Sequence, residues 1–158
     1  MHNRTTIQKI DSPAMTAKQT RQFNEQEHRL LVVWAADCAE HVLPYFEEEY
    51  PQDDRPRKAI EAARAWERGD YLMVDARKAA FAAHAAAHVV DNAAAQAAAR
   101  AAGHAAATAH VADHARHAAA YAVKAAEIIS NAASAERDWQ VQRLPERLRP
   151  VLFPTARD

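Results

Sequence analysis

Apolar and polar positions recur three and four residues apart along most of this 158-residue chain. No stretch alternates them at every second residue, as a half-buried β-strand would. The spacing therefore predicts an all-α fold, with five to six helices packed as a bundle around an alanine-rich central helix pair. We expect a flexible N-terminal tail over residues 1–22, a single helical domain over 23–153 and a C-terminal tail over 154–158.

Alanine dominates the segment from Ala79 to Ala126, where it fills 27 of 48 positions. It has the highest intrinsic helix propensity and loses no side-chain entropy on folding. Methyl groups also let helix axes approach toward the short end of the usual range of about 8–10 Å. This segment is thus expected to supply the central, closely packed helices.

Cap residues and prolines set the first helix boundaries. Asn24 followed by Glu27 has the form of a capping box, and Pro44 is expected to kink or end the helix that follows. The segment Asp53-Asp54-Arg55-Pro56 starts a second helix, which should reach Arg68 and stop at Gly69. The buried side of this helix is predicted to carry Ala59, Ile60, Ala63 and Trp66.

The alanine-rich segment is divided by weaker signals. A third helix is predicted over 72–90, with a break at Asp91-Asn92 and a fourth helix over 93–111. Gly103 inside that helix indicates close backbone approach. Asp113 is a candidate cap for a fifth helix reaching residue 135, and a single bent helix over 93–135 is the alternative. One short helix should follow between residues 145 and 152.

Charge and cysteine content exclude several classes of function. A net charge of −1 and a pI near 6.8 give no electrostatic case for nucleic acid or an anionic membrane. The polar N-terminus lacks the apolar core of a signal peptide, and the longest apolar run, residues 30–36, is too short to span a bilayer. Cys38 is the only cysteine, so we expect a reducing, cytoplasmic environment.

Histidines fall at helical spacing on two predicted helices. If Phe81 faces the core, then one face of the third helix carries Val74, Arg77, His84 and His88. One face of the fifth helix carries His110, His114, His117, Tyr121 and Ile128, whereas His104 falls on a different side.

Three interpretations of these imidazoles stay open. Histidines four residues apart on a helix can chelate a divalent metal ion, with His84, His88, His110, His114 and His117 as candidate ligands. Against a metal site, the chain has no H-E-x-x-H motif and no Cys/His cluster. The rings can instead fill space in an alanine core, or form a pH-sensitive interface. The favoured interpretation is that the rings fill space in an alanine core, and no cofactor is expected.

Asp37 lies among apolar residues on the first helix, on a stripe with Trp34, Cys38, His41 and Tyr45. A carboxylate there needs a partner, because burying it alone is unfavourable. His41, Arg55 and Arg64 are the candidates. A catalytic Asp37–His41 pair is a weak interpretation without a visible nucleophile, and Cys38 is expected to be an inert thiol.

The only dense acidic run is a candidate partner-binding surface. Three of its residues lie where a helix ends, which is unfavourable for negative charge and can indicate an interface with a basic partner. The alternative is a solvated loop neutralised by Arg55, Arg57 and Lys58. The run consists of Glu47, Glu48, Glu49, Asp53 and Asp54.

Several blocks of the chain resemble the bacterial immunity-protein-5-like family. The resemblance covers residues 30–152, and the blocks are WAADCAEHVLPYFE, DDRPRKAIEAARAW, ARKAAFAAHAAA, AARAAGHAAATAHVADHA with AAAYAVKAA, and WQVQRLPERLRP. It implies a turn at residues 111–113 and a recurrent polar core of Asp37, Arg55, His84, His110 and His114, to which the spacing adds His41. His88 and His117 look particular to this chain.

Proteins of this family are associated with polymorphic toxin systems, without established catalytic residues. The resemblance therefore implies a non-enzymatic cytoplasmic protein that binds and neutralises a toxin or another protein partner. One alternative is a metal-binding or histidine-dependent enzyme built on His84, His110, His114 and Asp37. Another is a helical scaffold that forms a homo-oligomer through its alanine seam.

Overall fold

A computed structural model describes residues 23–154 of the chain, so the predicted tail at 1–22 and all but the first residue of the predicted tail at 154–158 lie outside the described residues. This part of the chain is all α-helical. The helices are α1 (Glu25–Val42), α2 (Pro44–Glu47), α3 (Arg55–Arg68), α4 (Met73–His88), α5 (Ala93–Ala107), α6 (His114–Ser130), α7 (Ala133–Arg143) and α8 (Arg149–Leu152), with a 3-10 turn at Glu146–Leu148 before α8.

Asn24, Pro44 and Gly69 act at helix boundaries as their chemistry predicts. The Asn24 side chain accepts a hydrogen bond from the Glu27 amide at 2.8 Å, and Glu27 accepts one from the Asn24 amide at 3.1 Å. Leu43 interrupts the helix before Pro44, and α2 continues beyond this kink. At the end of α3, Gly69 adopts a φ of 88°, a conformation that costs glycine little.

Helix α5 is the centre of the bundle. It packs against α4 on one side and α6 on the other, and it also contacts α1, α2 and α3. Ten of its fifteen residues are buried, and nine of those ten are alanine. The prediction of an alanine-rich central helix pair is therefore confirmed in α5 and α6, whose mutual contact is the most extensive of the described fold.

The predicted count of five to six helices is slightly low. With α2 taken as the continuation of α1, and the 3-10 turn and α8 as one C-terminal unit, the described residues form seven. Asn131 adopts the left-handed conformation, with a φ of 56°, and ends α6 before residue 135. The chain then starts α7, a helix that the sequence analysis did not predict.

The segment between α5 and α6 decides between one bent helix and two separate helices. Helix α5 ends at Ala107, earlier than the predicted residue 111, and α6 begins at His114. A single bent helix is therefore wrong, and the break includes the turn at 111–113 that the family resemblance implies. Asp113 precedes α6, but its side chain makes no capping hydrogen bond and instead accepts one from Arg116 at 2.8 Å.

The orientation of α4 is the main correction. Phe81 was expected to face the core, but its side chain is 63% exposed. The side facing the bundle carries Ala76, Ala80, Ala83 and Ala87 instead. Methyl groups allow α4 to approach α5 closely, whereas the bulky stripe around Phe81 would hold the two helices apart. Val74, Arg77, Phe81 and His88 of the predicted stripe are exposed, whereas His84 is half-buried against α5.

A few large side chains supplement the methyl packing. Trp34 and Phe46 are almost completely buried, and the Trp34 indole donates a hydrogen bond of 2.8 Å to the Gln140 carbonyl on α7. This bond ties the C-terminal helices to α1. Among residues 23–154, no helix is long and apolar enough to cross a membrane.

Candidate functional site: an imidazole groove

A narrow strip of α5 remains uncovered between α4 and α6. Its members recur three and four residues apart, so they share one side of the helix. They are the five residues of α5 that are not buried, namely Ala93, Gln96, Arg100, His104 and Ala107. Side chains of α4 and α6 flank this strip. We call the resulting surface the imidazole groove and define it by His84, Arg100, His104, His114, His117 and Tyr121.

His104 is the centre of the imidazole groove. Its ring lies 4.9 Å from the His84 ring of α4, and 5.2 Å and 5.1 Å from the rings of His114 and His117 of α6, measured between centroids. Tyr121 stacks on the same ring at 5.4 Å. Three helices thus bring four imidazoles and a phenol into one contact network.

The hydrogen bonds restrict the protonation of these rings. Arg100 can only donate, so the Nδ1 atom of His84, 3.3 Å from the guanidinium, accepts and the ring carries its proton on Nε2. His104 Nδ1 and His114 Nδ1 are 3.0 Å apart, so one nitrogen donates to the other. Neither contact is compatible with a proton on every ring nitrogen.

Burial and neighbouring positive charge both favour the neutral imidazoles. Burial, reinforced by His84 and His114, lowers the pKa of His104 to about 3. Burial also lowers the pKa of His84, with Arg100 as the next cause, and the pKa of His114, with His117 as the next cause. His84, His104 and His114 are therefore neutral hydrogen-bonding groups around one permanent cation, Arg100.

Two predicted members of the histidine rows lie apart from this network. His110 is exposed in the turn before α6, with Nδ1 3.1 Å from the sulfur of Met73, and His88 is exposed near the end of α4. Within residues 23–154, no three His, Cys, Asp or Glu side chains are arranged as metal ligands.

Close approach of α4 to α5 shapes one wall of the groove. A Cβ atom at Gly103 would lie 2.7 Å from ring atoms of His84. Any larger residue there would displace the imidazole. The expectation that Gly103 indicates close approach is confirmed, and the contacting group is a histidine ring.

Comparison with known families identifies the type of domain. The model of a family described as "Imm-5 like putative immunity protein" matches residues 21–147. The chain belongs to this family. No curated protein and no solved structure matches the chain. The family indicates a toxin-neutralising function and hence a protein partner.

In this immunity-protein family member, Asp37 lies outside the imidazole groove. Its carboxylate accepts hydrogen bonds from Arg64 at 2.9 Å and from Arg143 at 3.3 Å. Of the partners proposed from sequence, Arg64 is the one found. His41 instead contacts the buried Glu136 at 2.9 Å and stacks on Trp139 with centroids 3.7 Å apart. Asp37 and His41 therefore do not form a dyad.

Arg55, the remaining predicted polar core residue, lies near the surface and pairs with Asp53 at 2.7 Å. Cys38, beside Asp37 in sequence, is completely buried. Burial, together with the negative charges of Glu136 and Asp37, raises the pKa of its thiol well above the usual value. A thiol in this state is a poor nucleophile.

The acidic run is largely neutralised by its neighbours. Glu47 pairs with Arg57 at 2.7 Å, and Asp54 lies 3.4 Å from Lys58. With the Arg55–Asp53 pair, three of the five carboxylates have cationic partners. Glu48 and Glu49 are exposed and have no ion pair among the described residues. Whether the run contacts a partner stays a prediction.

Sequence reasoning missed two central residues of the imidazole groove. His104 was assigned to a different side from the other histidines, and Arg100 was not singled out. Both lie on the strip that contains Gln96 and Ala107, so the three-and-four spacing of the interruptions in the alanine run carried the signal. The sequence does not show which side of α5 the neighbouring helices leave uncovered.

Proposed function

We propose that this protein neutralises a protein toxin by stoichiometric binding, without catalysing a reaction, and that the outer face of α4 is the main contact surface. Six of the nine exposed large apolar side chains among the described residues lie between residues 71 and 89. A concentration of exposed apolar side chains on one segment is a feature of protein interaction sites. Phe81 carries the proposal because it is the largest of these side chains on the helix itself.

The scaffold beneath this face supports the proposal. The inner side of α4 is held by buried alanines, so its outer side chains are presented on a closely packed helix rather than on a loop. A preorganised surface loses less conformational entropy when it binds. Phe81, with Arg77 5.7 Å from its ring, offers the aromatic and guanidinium groups that often dominate binding energy at interfaces.

A growth-rescue experiment tests this function. The chain is co-expressed in a bacterial host with a toxin encoded beside its gene, and protection is measured against the molar ratio of the two proteins. We expect protection to saturate near one chain per toxin, with a complex recovered by size exclusion. Protection at a small fraction of the toxin concentration would instead indicate an enzyme and would refute the proposal.

A matched pair of variants tests the surface. Phe81→Asp should abolish protection, whereas Ile129→Asp, which charges a 50% exposed apolar side chain at the end of α6, should preserve it. Equal urea midpoints for both variants would show that folding is not the cause. Full protection by Phe81→Asp would refute the proposal that the outer face of α4 is the main contact surface.

The competing function is a metal-dependent or histidine-using enzyme. The observation in its favour is the 3.0 Å separation of His104 Nδ1 and His114 Nδ1, which brings two neutral imidazoles together. Metal analysis of protein purified without a histidine tag separates the two functions. Stoichiometric metal whose removal unfolds the protein would support the competing function, and no stoichiometric metal would count against it.

A further inference from the structure

The imidazole groove holds a guanidinium without a counter-charge. Arg100 is half-buried, and its contact within residues 23–154 is the neutral Nδ1 of His84. The other half-buried arginines of this region all donate to carboxylate or backbone carbonyl oxygens: Arg55 to Asp53, Arg64 to Asp37 and Glu40, Arg116 to Asp113 and two carbonyls, and Arg149 to two carbonyls. Arg100 alone among them has a nitrogen acceptor in place of an oxygen.

Groups around Arg100 make the groove receptive to an anion. The titratable and charged groups that line or border it are His84 and His88 from α4, His104 from α5, His110 from the turn before α6, and His114, His117, Tyr121 and Lys124 from α6. The carboxylate acting on these rings is Asp113, which is exposed and bonded to Arg116. The four imidazoles of the groove are thus available to hydrogen-bond an anion that pairs with Arg100.

We propose that the imidazole groove recognises an acidic segment of the protein partner, with Arg100 pairing to one of its carboxylates. This inference rests on the proposed function, because it names the chemistry of the toxin surface that would meet α4. A carboxylate accepts two parallel hydrogen bonds from a guanidinium, and this geometry gives specificity as well as affinity. Phe81, on the outer face of α4, provides adjoining apolar contact area.

A carboxylate suits the groove better than a phosphate or a nucleic acid. Near neutral pH His84, His104 and His114 are uncharged, so the floor of the groove offers one permanent positive charge, Arg100. Phosphate carries nearly two negative charges, and nucleic acid carries many. The chain as a whole has a net charge of −1, which disfavours binding of a polyanion.

We expect anion binding at Arg100 to change the proton affinity of the nearby histidines. A carboxylate placed beside His84 and His104 offsets the positive charge that now disfavours their protonation. The bound state therefore takes up protons more readily than the free state. By linkage, affinity rises as the pH falls, provided that the ligand itself stays ionised.

An NMR titration of the full chain tests the inference. The probe is a hexaglutamate peptide with blocked ends, at pH 6.5, and the readout is the histidine Cε1–H resonances. We expect shifts for His84, His104 and His114, whereas His28 and His41 lie elsewhere and serve as internal controls.

Substitutions at Arg100 provide the decisive comparison. Arg100→Gln should weaken peptide binding at least tenfold, Arg100→Lys should retain most of it, and Arg147→Gln, at an exposed arginine near the C-terminus, should change nothing. Urea midpoints monitor folding, and Arg100→Lys keeps the test valid if Arg100→Gln is unstable. Equal affinity of the Gln and Lys variants would overturn the inference.

Other occupants give distinct results. Tighter binding of inorganic phosphate than of hexaglutamate at the same rings would overturn the carboxylate assignment. A homodimer that Arg100→Gln converts to a monomer would assign the groove to a second copy. Full toxin neutralisation by Arg100→Gln would overturn this inference and leave the proposed function intact. Groove binding of hexaglutamate in a chain that neutralises no toxin would refute the proposed function instead.

Discussion

Replacing Gly103 by alanine tests whether α4 and α5 are as close as described. At an ordinary interior helix position this change stabilises a protein by about 1 kcal/mol, because alanine has the higher helix propensity. Here the new methyl group would lie 2.7 Å from the His84 ring, so the ring or the helix must move. Overpacking of this kind usually costs about 1–3 kcal/mol. We expect a net destabilisation of about 1 kcal/mol.

A double-mutant cycle isolates the steric contribution. In a His84→Ala background the three atoms nearest to the added Cβ are gone, so Gly103→Ala should stabilise the protein by about 1 kcal/mol. The effect of Gly103→Ala on the free energy of unfolding then differs by about 2 kcal/mol between the two backgrounds. This difference is well above the usual deviation from additivity for independent sites. The assay is urea unfolding followed by circular dichroism at pH 7.5, where His84 is neutral. Equal effects of Gly103→Ala in both backgrounds would refute the close approach.

Three further predictions follow from the same contacts. The pKa of His104 is about 3 when folded and near 6.5 when unfolded, so the unfolded state binds the extra proton between these values and stability should fall as the pH decreases from 7 to 5. His104→Gln should flatten this slope by up to about 1.4 kcal/mol per pH unit in urea unfolding. Charge reversal of Glu48 and Glu49 together should leave toxin neutralisation unchanged if α4 is the contact surface, and a loss of protection in the growth assay would favour the acidic run. Ala106→Leu should destabilise the protein by about 1–3 kcal/mol because Ala106 is fully buried within the chain. The elution volume of this variant should match that of the wild type, whereas dissociation of an oligomer would support a seam between copies.

Local signals in the sequence predicted the helix boundaries well. The Asn24–Glu27 capping box, the kink at Pro44, the stop at Gly69 and the break at Asp91-Asn92 each depend on hydrogen bonds or φ angles within a few residues. The break at Asn131 was missed because a left-handed asparagine leaves a weaker sequence signal than glycine or proline. Local interactions are thus sufficient to predict a helix boundary where one residue determines the backbone conformation.

The candidate site was harder to predict because it depends on which helix sides meet. Periodicity placed Val74, Arg77, Phe81, His84 and His88 on one stripe of α4, but it could not decide which of them face the core and which face the solvent. The usual rule that large apolar residues are buried chose wrongly for Phe81, since alanines occupy the contact with α5. His104 was separated from the other rings for the same reason: it belongs to a third helix whose rotation the sequence does not give.

Alanine packing provides a physical reason for the position of the imidazole groove. Where two helices meet through methyl groups, there is little space for a ring or a guanidinium between them. The large side chains of α4, α5 and α6 therefore lie at the margins of the contacts, and on α5 only one strip remains for them. His104 and Arg100 occupy that strip, and His84 and His114 extend over it from either side. The same close packing that stabilises the bundle thus concentrates its ionisable groups on one surface, where a partner can reach them.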